Sequence, residues 1–120
     1  MAAQKLSPLP NLAYKVLTAE QFADWQAAGH FAGAPIDLAD GYIHLSTADQ
    51  LPGTLEKHFI GRAGLVIAEI DLATMGDAVR WEPSRGGALF PHLYAPLPLR
   101  AVRAHGLLDW ERDGSIILPG

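Results

Sequence analysis

Apolar and polar residues alternate most cleanly over residues 42–46. Ile43 and Leu45 take one side of an extended chain, and Tyr42, His44 and Ser46 take the other. The pattern predicts a strand with a core face and a second face carrying a phenol, an imidazole and a hydroxyl in a row. Residues 12–17 predict the first strand, with Tyr14 and Val16 on one side and Lys15 and Leu17 on the other. Thr18 and Gln21 then form a capping box, and Leu17 and Phe22 stand in the positions of its hydrophobic staple. A helix should run from there to about Ala28 and stop at Gly29. Residues 30–40 read as a loop with Gly33, Pro35 and two Asp residues. Thr47 and Gln50 repeat the capping pattern, but Pro52 fits better if Asp49 is the cap, which places a second helix over about residues 50–60, ending near Gly61.

The second half is richer in strands. Residues 64–72 hold a nearly continuous apolar run and predict a third, central strand. Residues 71–77 read as a turn or short helical piece, and 79–82 as a short strand with Arg80 and Glu82 on one face. Trp81 lies on the opposite face with Val79 and is expected to be buried beneath the site. Residues 83–87 form a loop. Residues 89–94 return as an extended segment that Pro91 assigns to a sheet edge or a bulge, with His92 and Tyr94 facing the same way. A strand over 99–104 precedes a hairpin over 107–118, where Asp113-Gly114 suits a type I′ turn. The expected class is α+β, with two helices near the N-terminus packed on small, mainly antiparallel sheets.

Length and charge narrow the picture. The chain of 120 residues reads as one domain, with residues 1–11 a loosely ordered lead-in. Its net charge of −4 argues against bulk nucleic-acid binding. Cysteine is absent, which excludes disulfides and thiolate chemistry. There is no apolar run of membrane-spanning length and no signal-like segment, so the expected location is cytoplasmic.

Three groups of polar residues lack an evident structural reason: Tyr42/His44/Ser46, then Arg80/Glu82 with Ser84 and Arg85, then His92/Tyr94. Each has an ordinary alternative, such as a satisfied strand histidine or an Arg–Glu ion pair. No His-x-His or His-x-x-x-His pair occurs, so a zinc site would have to be assembled from His44, His92 and Glu82 by folding alone, and no metal is expected. There is no Gly-x-Ser-x-Gly elbow, phosphate-binding loop or dinucleotide fingerprint either.

Several motifs together carry a resemblance. Tyr-Lys-Val-Leu from Tyr14, Gly-x-x-x-Asp-Leu-Ala-Asp-Gly-Tyr-Ile-His-Leu-Ser-Thr from Gly33, Arg-Trp-Glu-Pro-Ser-Arg-Gly-Gly from Arg80 and Leu-Phe-Pro-His-Leu-Tyr from Leu89 occur in order. The chain resembles the uncharacterised bacterial family called domain of unknown function nine hundred and fifty-two, over about residues 12–102. The resemblance implies an ADP-ribosyltransferase-like fold, in which NAD lies in a cleft between two small sheets. Carried over by position, Tyr14 and Lys15 lie on the first strand, His44 and Ser46 on the mid-chain strand, and Glu82 is the late acid. Such transferases carry Gly after the first-strand His or Arg, whereas Val16 follows Lys15 here.

The expected site therefore has His44 and Glu82 as catalytic groups, coming close enough to share a ligand. Tyr14, Lys15, Tyr42, Ser46, Arg85, His92 and Tyr94 would bind that ligand, a nucleotide-like or NAD-like small molecule, with transferase activity as the enzymatic form. The alternative is a non-catalytic module whose aromatic residues, Trp81, Tyr94 and Trp110, serve a protein partner.

Overall fold

Leu12–Thr18 (β1) runs straight into the helix Ala19–Ala28 (α1), and the capping box explains the sharp junction. The Gln21 N–H donates to Thr18 Oγ1 at 3.0 Å, and Gln21 Oε1 accepts from the Thr18 N–H at 2.9 Å. Phe22 and Trp25 are its buried residues and Gly29 ends it, as the sequence predicts. The computed structural model describes residues 9–120, so most of the expected lead-in lies outside the described residues.

The rest follows in order: His30–Phe31 (β2), Pro35–Asp40 (α2), Ile43–His44 (β3), Leu51–His58 (α3), Leu65–Asp71 (β4), Val79–Pro83 (β5), Leu89–Leu93 (β6), Leu97–Pro98 (β7) and Val102–Leu107 (β8). Among the described residues, all pairings are antiparallel. One sheet has the order β1-β4-β8, a second β3-β6-β5, and β2 pairs with β7. The apolar β4 is central, as expected.

Alternation along β1 sends its residues into two cores. Ala13 and Leu17 pack with Phe22 and Trp25 of α1, whereas Tyr14 and Val16 pack with Leu51 and Leu55 of α3. Full burial of a Leu-sized side chain contributes about 1.5–3 kcal/mol, so both faces of the first sheet anchor a helix. A backbone bridge joins the second sheet to the first: Tyr14 and Ser46 exchange hydrogen bonds at 2.7 and 3.0 Å.

Five expectations need correction. Residues 30–40 are not all loop: Pro35, at the first helical position, and Gly41, closing the last turn, bracket the short helix α2. The alternating strand pairs only over Ile43–His44, because Ser46 has crossed to β1. A 3-10 turn over Ala48–Gln50 precedes α3, with the Gln50 side chain accepting from the Thr47 N–H at 3.0 Å. Thr47, not Asp49, thus marks the start. A 3-10 turn also occupies Leu99–Ala101, so β8 begins at Val102. Trp81 is only partly buried, packed against the main core.

Two further differences concern proline and glycine. β6 is central in its sheet although it carries Pro91. Pro91 lies opposite Leu45, just beyond the two-residue pairing with β3. Its carbonyl accepts from the Leu45 N–H at 3.1 Å, and the missing proline N–H costs only the last rung. The C-terminal segment forms one bridge, Trp110 with Ile116, not two strands. The Gly114 N–H bonds the Glu111 carbonyl at 3.0 Å and Gly114 has φ 89°, so it follows the turn. Type I′ would need positive φ at Asp113, and among the described residues only glycines have it.

Candidate functional site

The second sheet turns one face to the core and the other to a cleft. Register sets Arg80 and His44 beside His92 on the open face, and Glu82 beside Phe90 one step along. The Tyr42 ring stacks on His92 at a centroid distance of 4.1 Å, with Tyr94 5.3 Å from Tyr42. A cavity of about 390 Å³ opens between this face, the edge of β1 and α3. Tyr14, Lys15, Tyr42, His44, Ser46, Arg85 and His92 line it, whereas Glu82 and Tyr94 do not.

Lys15 and His44 converge on a residue that the sequence reading passed over. Asp37, 2% exposed, accepts from Lys15 Nζ at 3.0 and 3.2 Å, from His44 Nδ1 at 2.7 Å, and from the backbone N–H groups of Ala34 and His44 at 2.8 and 3.0 Å. Burial pushes its carboxyl up, but the His44 bond and the Lys15 charge outweigh that and hold it at about 2. Burial likewise lowers Lys15 from its usual range, against the pull of Asp37. A third Lys15 bond, to the His44 carbonyl at 2.9 Å, completes the ammonium's three donors. Gly33 belongs to this cluster: it has φ 130°, and a Cβ there would meet Asp37 Cβ at 2.9 Å. The Pro35 and Gly41 brackets of α2 were the readable signal for Asp37.

His44 Nε2 lies 2.9 Å from Asp40, so both ring nitrogens face carboxylates. Both bonds are donated only by the imidazolium. His92 differs. Its Nδ1 lies 2.7 Å from Glu82 Oε1, which also accepts from the Tyr94 hydroxyl at 2.7 Å. These two bonds, His92 first, hold the Glu82 carboxyl below its ordinary value, and the same contact pushes the Tyr94 phenol up. His44 and Glu82 therefore connect through His92, whose ring centroid is 5.7 Å from that of His44.

Opposite this face lies a cationic wall. Arg85 Nη2 reaches Thr54 Oγ1 at 3.3 Å and the Gln50 carbonyl at 3.4 Å, with its guanidinium over the Phe90 ring. Thr54 Oγ1 in turn bonds Ser46 Oγ at 2.8 Å. Lys57, His58 and Arg62 also line the cavity, and none of the three was singled out from sequence. Burial, then the neighbouring Lys57 charge, lowers His58. Tyr14 points its hydroxyl away to Glu69 at 3.1 Å, and burial followed by that bond pushes its phenol up.

The edge of β1 supplies one more polar element. The Tyr14 N–H and C=O face Ser46, so strand alternation aims those of Val16 toward the same open side. Val16 lines the cavity, and its two backbone groups have no partner there among the described residues.

A family model described as protein of unknown function (DUF952) matches residues 16–105. The crystal structure of protein CC0527 from Caulobacter crescentus is similar at 43% identity and a TM-score of 0.80, covering 89% of this chain and 94% of that one. The solution NMR structure of CC0527 gives 43% identity and a TM-score of 0.75, over 88% of this chain and 90% of that one. No curated protein matches the chain. Among the described residues, no helix is long and apolar enough to cross a membrane.

Proposed function

The chain belongs to the family of proteins of unknown function DUF952, and we propose that its cleft binds a small anionic, nucleotide-like ligand. One observation carries the reading. Lys57, Arg62 and Arg85 gather on a single cavity in a chain whose net charge is −4. Cations concentrated against the overall charge mark where an anion is attracted. The planar fork of Arg85 suits phosphate oxygens.

The other end of the cavity offers the Val16 N–H and C=O side by side, which match an amide's acceptor and donor. Val16 points its side chain into the α3 core, so a residue larger than glycine leaves those groups clear. Two small sheets flanking a cleft, with the first-strand edge open, support an ADP-ribosyltransferase-like reading. NAD or ADP-ribose is the ligand that this reading names, and a transferase is its enzymatic form. The expected carrying residues are His44, Ser46, Arg85 and His92 at the wall, with Glu82 and Tyr94 behind His92.

Calorimetric titration with NAD, ADP-ribose and nucleoside diphosphates tests this. Saturable binding by at least one is expected, weakening as salt rises and about tenfold in Arg85→Ala, the loss of one charge-assisted contact. No saturable binding by any of them overturns the reading in favour of a protein-docking module.

A further inference from the structure

The two histidines of the cleft are not equivalent as proton carriers. His44 has both ring nitrogens committed to Asp37 and Asp40. His92 has one committed, to Glu82, and Nε2 has no hydrogen-bond partner among the described residues. The residue is only 2% exposed, yet Trp25 Nε1 is the one buried side-chain nitrogen or oxygen without a partner there. His92 Nε2 therefore borders open space, and His92 lines the cleft.

We infer that His92 Nε2 is the proton acceptor of the cleft, taking the proton of a ligand hydroxyl or of a bound water, with Glu82 as the positioning residue. The neutral imidazole donates its Nδ1 proton to the Glu82 carboxylate, which leaves the lone pair on Nε2. The Tyr42 ring, inclined 28° at 4.1 Å, covers one side of the imidazole, and the central strand β6 holds its backbone. Rotation that would swap the nitrogens is thereby blocked. Tyr94 fixes the carboxylate from the other side through the same Oε1 atom. When an O–H group approaches, its O–H bond breaks and an Nε2–H bond forms. The oxygen keeps the electron pair, and the positive charge gained by the ring is stabilised by Glu82. Such carboxylate–imidazole pairs serve as general bases when a reacting hydroxyl is held within reach.

The assignment of a hydroxyl-bearing ligand rests on the anion reading above; the state of the imidazole does not. Two-bond proton–nitrogen NMR on the protein with labelled histidine reads both. In its neutral form, His92 is expected as the Nδ1–H tautomer with an acceptor-type Nε2. Glu82→Gln, whose amide oxygen still accepts, keeps that tautomer, and Glu82→Ala mixes the two. ADP-ribose is expected to move the Nε2 resonance, whereas pyrophosphate, which fills the cationic wall but carries no ribose hydroxyl, leaves it in place. An Nε2–H tautomer in the wild type overturns the proposal, as does ADP-ribose binding without moving Nε2. An unchanged tautomer in Glu82→Ala removes Glu82 from its positioning role. If neither compound binds, the anion reading fails, and the tautomer alone decides whether His92 is an open acceptor.

Discussion

Two polar clusters share the cleft and differ in what they leave unused. Around Asp37, every strong group is satisfied: three donors of Lys15, both nitrogens of His44 and two backbone N–H groups all find partners. Around Glu82, two donors share one carboxylate oxygen, and His92 keeps a nitrogen without a partner among the described residues. Both clusters contain a carboxylate, a histidine and one deeply buried member, Asp37 in the first and His92 in the second. Free valence separates them: a saturated network holds the fold together, and an open one can act on a ligand.

The largest effect is expected at Asp37. Removing the carboxylate leaves the Lys15 ammonium, 7% exposed, without its counter-charge. Asp37→Ala should therefore cost about 3–5 kcal/mol in urea unfolding, as breaking a buried pair does. A cost below about 1 kcal/mol would show that the cluster is not structural.

Acid should act on the same group. The folded carboxyl sits at about 2, below its ordinary 3.8. A depressed folded value means that the contribution is fully present above about pH 4 and fades as pH falls toward 2. A shift of this size corresponds to about 2 kcal/mol. Melting curves between pH 5 and pH 2, of the wild type against Asp37→Asn, should converge toward low pH. Parallel curves would deny Asp37 the role.

The open cluster should respond more weakly. Glu82→Ala is expected to lower the melting temperature less than Asp37→Ala, because the Glu82 side chain is 35% exposed and water can take its place. It should nevertheless change the His92 nitrogen signals, which a purely structural residue would leave alone. Equal or greater thermal loss in Glu82→Ala would reverse the ranking.

The smallest stability effect and a clear ligand effect are expected at Gly53. A Cβ there would come within 3.0 Å of Arg85 Nη2, the far end of a flexible side chain. Gly53→Ala should leave stability within about 1 kcal/mol, since alanine favours the helix by about that much. ADP-ribose affinity should still fall severalfold as the guanidinium is displaced. Unchanged affinity would mean that Arg85 does not touch the ligand.

Much of the scaffold was legible because its signals are local. The Thr18/Gln21 box, the Gly29 stop and the apolar run of β4 each state their structure within a few residues. The polar face was legible too, since strand alternation sets His44, His92 and Glu82 opposite apolar neighbours. What sequence hid was tertiary. Asp37 looked like a loop residue because its partners, Lys15 and His44, lie 22 and 7 positions away. Pro91 reads as an edge marker, yet its strand is central because the neighbouring β3 is only two residues long. Lys57, in the last turn of α3, and Arg62, just beyond it, carry no sequence signal of their own; the packing of Leu51 and Leu55 on β1 is what brings this segment to the cavity.

The proposed ligand site is the cleft and no other surface. A backbone amide NMR map during titration with ADP-ribose tests this. Saturable shifts are expected at Val16, Ser46, Thr54 and His92, with the Val16 N–H moving as its open edge is filled, and little change at Trp110, which does not line the cavity. Shifts centred on the Trp110 segment, or none at the four cleft amides, would contradict it.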